Sequence, residues 1–114
     1  MDKITLAAAQ NSASPALKLP RGQHAVVALV TDHGNGAGAV IVLEVSADDG
    51  VNFVSVALVD QTSTTFAGTA SLTGPDKAGR AVLDGYDGVS WRVRRTDATG
   101  GTPTVYVGIT VPTV

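Results

Sequence analysis

The stretch VLEVSADDGVNF, residues 42 to 53, holds the residues with the clearest chemical potential. Its adjacent carboxylates, Asp48 and Asp49, could form a catalytic pair, ligate calcium or fold the chain back on itself. Glycoside hydrolysis needs two acids that face each other across a cleft, whereas adjacent residues of a strand point in opposite directions. Calcium takes six or more oxygen ligands, and the candidates for such a site are Asp48, Asp49, Asp84 and Asp87.

The spacing of this stretch favours the third role. Ser46, Asp48, Gly50 and Phe53 resemble the Asp-box turn, S-x-D-x-G-x-T-W, with Asn52 in place of Thr and Phe53 in place of Trp. In such a turn a Ser or Asp side chain accepts backbone N–H groups, Gly supplies a positive φ angle and the aromatic ring covers the hairpin. We therefore predict a structural turn that joins two antiparallel strands.

The other chemically capable residues also have simple structural roles. The two histidines, His24 and His33, have no partner at metal-ligand spacing. In the stretch WRVRR, Arg92 and Arg94 share one face of a strand, and we predict that they pair with carboxylates such as Glu44. No aromatic platform is interleaved with these charges, as a nucleic-acid site would require. We expect no catalytic residue, no cofactor and no resident metal.

Length and composition exclude several classes of protein. A chain of 114 residues fits one domain. It has no cysteine, so neither a disulfide framework nor a thiolate zinc site is available. A net charge of −2 gives no field that would gather nucleic acid. The apolar runs are too short for a membrane-spanning helix, and the first residues do not resemble an export signal. We therefore expect neither nucleic acid nor a membrane as a partner.

Residue choice and alternation predict strands throughout. Val, Thr and Ile are abundant, and thirteen glycines punctuate short alternating segments. About eight strands at regular spacing indicate a single antiparallel β-sandwich of jelly-roll or Ig-like topology. We place an N-terminal arm with the first short strands at residues 1–22 and the sandwich domain at 23–114. The predicted core residues are Trp91, Ile41, Leu43, Val45, Val107 and Ile109.

One strand is apolar on both sides. Residues 24–31 read HAVVALVT, a pattern typical of a central strand or of one whose outer side is covered by a partner. We predict that this strand and the N-terminal arm form contacts with other copies of the chain. The predicted interface residues are Val26, Val27, Ala28, Leu29 and Val30.

Residues 39–112 resemble a small β-sandwich module of tailed-bacteriophage virion proteins. The resemblance is carried by the successions VLEVSADDGVNFVSV and AVLDGYDGVSWRVRRTDATGGTPTVYVGITV. The module has a strand that ends in S-x-D-G-G-x-x-W, a later strand with alternating arginines, and a closing strand after G-G. Asp49 stands where the module often has its first Gly. The resemblance implies a virion component with no catalytic residues.

The resemblance and the composition lead to one expected function with alternatives. We expect a non-enzymatic structural protein, most simply a capsid decoration protein on the outer surface of a phage head. A carbohydrate-binding module and an adhesion component of the tail or neck are the alternatives. The expected partners are further copies of the chain, with a trimer favoured by analogy, and the major capsid protein or another virion protein. The expected location is the virion, after synthesis in the host cytoplasm.

Overall fold

The computed structural model describes residues 2–6, 11–32, 40–62, 68–73, 77–97 and 104–110. The regular elements of these residues are all strands, as the abundance of β-branched residues predicts. No described helix has the length and apolar character needed to cross a bilayer. The strands are β1 (Asp2–Thr5), β2 (Leu17–Lys18), β3 (Gly22–Asp32), β4 (Val40–Ser46), β5 (Val54–Val56), β6 (Leu58–Asp60), β7 (Gly68–Thr69), β8 (Leu72–Thr73), β9 (Lys77–Gly85), β10 (Ser90–Arg95) and β11 (Thr104–Thr110).

The strands form two antiparallel sheets that pack face to face. The larger sheet has six strands in the order β1-β11-β3-β9-β6-β7. The smaller sheet has the order β2-β10-β4-β5, and β8 also pairs with β4. The prediction of an all-β antiparallel sandwich is therefore confirmed. More strands occur than the eight expected, because several pieces of two or three residues pair separately.

Neighbouring strands of the sequence do not always share a sheet. The hairpin predicted around the acidic turn is present, since β4 pairs with β5 from Leu43↔Val56 to Val45↔Val54. By contrast, β10 lies in the smaller sheet and β11 in the larger one. These two consecutive strands therefore do not form a hairpin with each other.

The N-terminal residues contribute to both sheets. Strand β1 pairs with β11 at the edge of the larger sheet, and β2 pairs with β10 at the edge of the smaller one. Leu6 and Leu19 are buried in the core between the sheets. The described parts of the predicted arm, residues 1–22, are thus packed into the sandwich.

The core lies between the inward faces of β3, β4, β10 and β11. Most predicted core residues lie there: Trp91, Ile41, Leu43 and Val107 are buried, and Val45 is half-buried and packs against them. Ile109 is 37% exposed, so its predicted core position is wrong. Ile109 lies beside a gap of about 180 Å³ that it lines with Leu17, Lys18, Trp91 and Gly108, because β2 is only two residues long and does not close that edge.

Strand β3 is central in the larger sheet, between β11 and β9. Its residues Val26, Ala28 and Val30 are buried in the chain's own core, so their prediction as interface residues is wrong. The alternation of apolar residues could not show which side was inward. Val27 and Leu29 lie on the outer face and are half-buried. Only these two of the five predicted interface residues remain available to a partner.

Candidate functional site

The acidic turn between β4 and β5 is held by its own side chains. Ser46 Oγ accepts the N–H of Gly50 at 2.9 Å and donates to Asp48 Oδ1 at 2.7 Å. The carboxylate of Asp48 also accepts the backbone N–H of Asn52 at 2.9 Å and its side-chain Nδ2 at 2.7 Å. These bonds are the ones expected when carboxylates fold the chain.

The backbone of the turn requires two left-handed residues in succession. Asp49 has a φ of 59° and Gly50 a φ of 81°. Asp tolerates this conformation better than most residues, and Gly adopts it without steric cost. The ring of Phe53 lies beside Gly50, so the aromatic covers the turn. The four predicted turn residues therefore act together.

The hydrogen bonds of Asp48 also determine its protonation. The backbone N–H of Asn52, the hydroxyl of Ser46 and the side chain of Asn52 lower the pKa of Asp48 from 3.8 to about 2. Each donor stabilises the charged carboxylate. Asp48 is therefore ionised near neutral pH and acts as an acceptor within the turn, whereas a general acid needs a raised pKa.

The four calcium candidates do not share one site. Asp48 is used by the turn, Asp87 pairs with Arg21 at 2.8 Å, and Asp84 is exposed on β9. Asp49 donates its backbone N–H to the carbonyl of Gly88 at 3.0 Å. No group of three or more acidic, His or Cys side chains suited to a metal occurs in the part of the chain that the structure describes. His24 is described as well, with Nε2 3.3 Å from the carbonyl of Arg21, whereas His33 lies outside the described residues.

The arginines of β10 pair with Glu44 of β4 on the outer face of the smaller sheet. Arg92 Nε donates to Glu44 Oε1 at 2.9 Å, and Arg94 Nε donates to Oε2 at 2.8 Å. The guanidinium of Arg92 lies 3.8 Å from the ring centre of Phe53. Arg94 also donates to the side chain of Asn11 at 2.8 Å. The predicted pairing with Glu44 is therefore present, and one face of the Phe53 ring is occupied by Arg92.

The third arginine of β10 has a role that sequence reasoning missed. Arg95 is fully buried and makes two hydrogen bonds to Asp97, from Nε to Oδ1 and from Nη2 to Oδ2, both at 3.0 Å. Asp97 Oδ1 also accepts the N–H of Val40 at 2.8 Å. The signal was present, because Arg95 alternates with the inward residues Trp91 and Val93.

A cleft of about 680 Å³ lies next to the acidic turn, at the same end of the sandwich. Three segments far apart in the sequence form it: the β2–β3 connection, the acidic turn and the β9–β10 connection. We call it the end cleft, and its lining residues are Ala16, Lys18, Leu19, Pro20, Arg21, Asp49, Gly50, Tyr86, Asp87, Gly88, Val89 and Ser90.

Backbone hydrogen bonds fix the three segments around the end cleft. Leu19 donates to Val89 at 3.0 Å, and the Asp49–Gly88 bond ties the acidic turn to the β9–β10 connection. That connection turns tightly at Gly88, which has a φ of 91°. Tyr86, at its start, has 53% of its surface exposed. The walls of the cleft are therefore set by the fold, and sequence reasoning singled out only two of its residues as possible ligands, Asp49 and Asp87.

The described charged groups thus have mainly structural partners. Asp48 stabilises its turn, Glu44 bridges two arginines, and Asp97 holds Arg95 in the core. Comparison of the chain with protein-family models, with curated proteins and with solved structures finds no match. The features that bear on function are therefore the chain's own surfaces, above all the end cleft and the outer face of the larger sheet.

Proposed function

We propose that the chain is a non-enzymatic structural protein of a tailed-phage virion, most simply a capsid decoration protein that binds the outer surface of the head. The motif resemblance around the acidic turn and the WRVRR strand supports this setting. The observation that carries a binding role is the apolar outer face of the six-stranded sheet. Proteins that act by assembly need such a surface, because burial of apolar area drives association.

The outer face is centred on β3, β9 and β11. In the register of these strands, Val27 lies between Arg80 and Gly108, and Leu29 lies between Ala78 and Tyr106. The next row places Ala25 between Val82 and Thr110. Val82 is 44% exposed, and Val27, Leu29 and Tyr106 are half-buried. The rows form a largely apolar surface on regular strands, which suits contact with another folded protein.

The charges of this face favour a second copy of the chain as its occupant. Arg80 and Asp84 stand on either side of Val82 on the same face of β9. A two-fold axis through Val82 that lies in the contact plane and is perpendicular to β9 would place each Arg80 opposite the Asp84 of the other copy. The surface is therefore self-complementary in charge as well as apolar. The two-fold contact predicts a dimer, whereas the phage resemblance favours a trimer, so the number of subunits distinguishes the two arrangements.

Quantitative mass spectrometry of purified virions tests the capsid role. A decoration protein is expected at a copy number comparable with that of the major capsid protein. A copy number comparable with neck or tail proteins would contradict the capsid position, and absence from the particle would contradict the virion role.

Sedimentation of the isolated protein tests the self-association surface. The wild type at about 50 μM should sediment as an oligomer, since contacts with micromolar dissociation constants are populated at that concentration. Val82→Asp should shift it to monomer. Val54→Asp is the matched control, because Val54 is a 63% exposed valine on a strand of the other sheet. A monomeric wild type, or equal effects of the two variants, would contradict the assignment.

A further inference from the structure

We propose that the end cleft binds a neutral saccharide, a function that goes beyond a structural role in the virion. The cleft joins an unpartnered buried hydroxyl, a balanced set of charged groups and an exposed aromatic ring. Its volume of about 680 Å³ lies within the roughly 300–1,000 Å³ of small-ligand sites. A short oligosaccharide fits a cleft of this size.

The hydroxyl belongs to Ser90. Its side chain lines the cleft, is only 8% exposed and has no hydrogen-bond partner among the described residues. A Cβ at Gly50 would stand 3.8 Å from Ser90 Oγ, so Gly50 lies directly beside the hydroxyl. Burying a hydroxyl without a partner is unfavourable, and the cost is recovered when a ligand supplies the missing hydrogen bond. A ligand that carries hydroxyl groups meets this need.

The charged groups of the cleft cancel one another. Lys18 and Arg21 contribute two positive charges, and Asp49 and Asp87 contribute two negative charges. Arg21 and Asp87 already pair at 2.8 Å. A cleft of zero net charge gives no advantage to an ionic ligand. The carboxylates and the guanidinium group still present several acceptors and donors, which can form hydrogen bonds with the hydroxyl groups of a sugar ring.

Tyr86 supplies an apolar surface beside these polar groups. Its ring is 53% exposed, and a tyrosine ring combines an apolar body with a polar tip. The C–H face of a pyranose ring can pack on such a surface while its hydroxyl groups reach the charged wall. Phe53 is less suited to this role, because Arg92 covers one face of its ring.

The test is a titration of the full-length, ¹⁵N-labelled protein followed by NMR. The neutral probes are maltotriose, cellotriose, mannotriose and tri-N-acetylchitotriose, and the charged comparator is 3′-sialyllactose. We expect at least one neutral probe to bind saturably, with amide shifts confined to residues 16–21, 49–50 and 86–90. Shifts elsewhere only, no shift with any neutral probe, or binding of sialyllactose alone would overturn the proposal.

Three variants distinguish ligand contacts from structural roles. Tyr86→Ala should weaken binding about tenfold, the loss expected for one aromatic contact. Val54→Ala is the control, because Val54 is an exposed apolar residue of β5 that does not line the cleft, and its affinity should equal that of the wild type. Ser90→Ala should weaken binding several-fold without lowering the melting temperature, because its hydroxyl has no described partner to lose. Unchanged affinity in Tyr86→Ala would overturn the proposal, and so would a Ser90→Ala variant that is destabilised yet binds normally.

Discussion

Replacing Asp97 with Asn should destabilise the protein far more than the same replacement at Asp87. Both aspartates form ion pairs with an arginine, at 3.0 Å for Arg95–Asp97 and 2.8 Å for Arg21–Asp87. The side chains of the first pair are 0% and 11% exposed, and those of the second pair are 75% and 85% exposed. The two replacements thus make the same chemical change in opposite surroundings.

The magnitudes follow from burial. Asp97→Asn leaves the Arg95 guanidinium buried without its carboxylate, which typically costs about 3–5 kcal/mol. The Asn side chain keeps an oxygen that can accept the N–H of Val40, so the loss of stability reflects the missing negative charge of Asp97. An exposed pair contributes about 0–1 kcal/mol, which bounds the effect of Asp87→Asn. With a urea dependence of roughly 1–3 kcal/mol per molar, the midpoint should fall by about 2 M for Asp97→Asn and by less than about 0.5 M for Asp87→Asn.

Urea unfolding, followed by circular dichroism and by the emission of Trp91, measures both changes. A further variant removes the buried charge as well: Arg95→Met added to Asp97→Asn should recover part of the lost stability. Equal midpoints for Asp97→Asn and Asp87→Asn, or an additional loss in the double variant, would refute the assigned role of the buried pair.

Three further predictions concern packing and the turn. Gly85→Ala should lower the free energy of unfolding by at least about 3 kcal/mol, measured by heat or urea, because the added Cβ would overlap the carbonyl oxygen of Pro20. Gly68→Ala is the control: the nearest described atom to its added Cβ is 4.0 Å away, so the free energy of unfolding should change by less than about 0.5 kcal/mol. Similar losses at the two glycines would contradict this packing. Trp91→Ala should lower the free energy of unfolding by about 3–5 kcal/mol, because Trp91 is buried. In the wild type, the fluorescence of Trp91 should have its maximum at short wavelength and resist quenching by iodide, and a maximum at the wavelength of fully hydrated tryptophan would contradict its burial. The pKa of Asp48 is lowered from 3.8 to about 2, so its stabilising effect is complete above about pH 4 and is lost as the pH falls towards 2. The melting temperature of the wild type should therefore exceed that of Asp48→Asn at pH 6 and converge with it near pH 2, and a gap independent of pH would show that the carboxylate charge is not responsible.

Alternation and turn chemistry predicted the parts of this structure that depend on neighbouring residues. The Asp-box spacing located the hairpin of β4 and β5, and the period of two placed Arg92 and Arg94 beside Glu44. Alternation assigns a side chain to a face but does not say how far the covering sheet extends. Ile109 therefore has the inward parity of Val107 and is nevertheless 37% exposed.

Alternation and turn chemistry could not predict features that combine residues from distant segments of the chain. The end cleft combines residues near positions 18, 49 and 87, and only the strand order brings them together. Strand β3 was apolar on both sides, so the pattern could not separate its core residues from Val27 and Leu29. Arg95 was missed for a different reason: a buried charge conflicts with the usual preference for the surface, and its partner Asp97 lies just beyond the end of the strand.

The pairing of β1 with β11 has a consequence for how the protein folds. Asp2 pairs with Val107, so the edge of the larger sheet joins residues that are almost the whole chain apart. Closing so long a loop costs entropy before any contact offsets it, and sheets built from such distant pairings fold slowly, in milliseconds to seconds. During synthesis β3 has neither β9 nor β11 beside it until late, since both partners are made after it. The larger sheet can therefore be completed only when β11 has left the ribosome, because β1 docks on that strand.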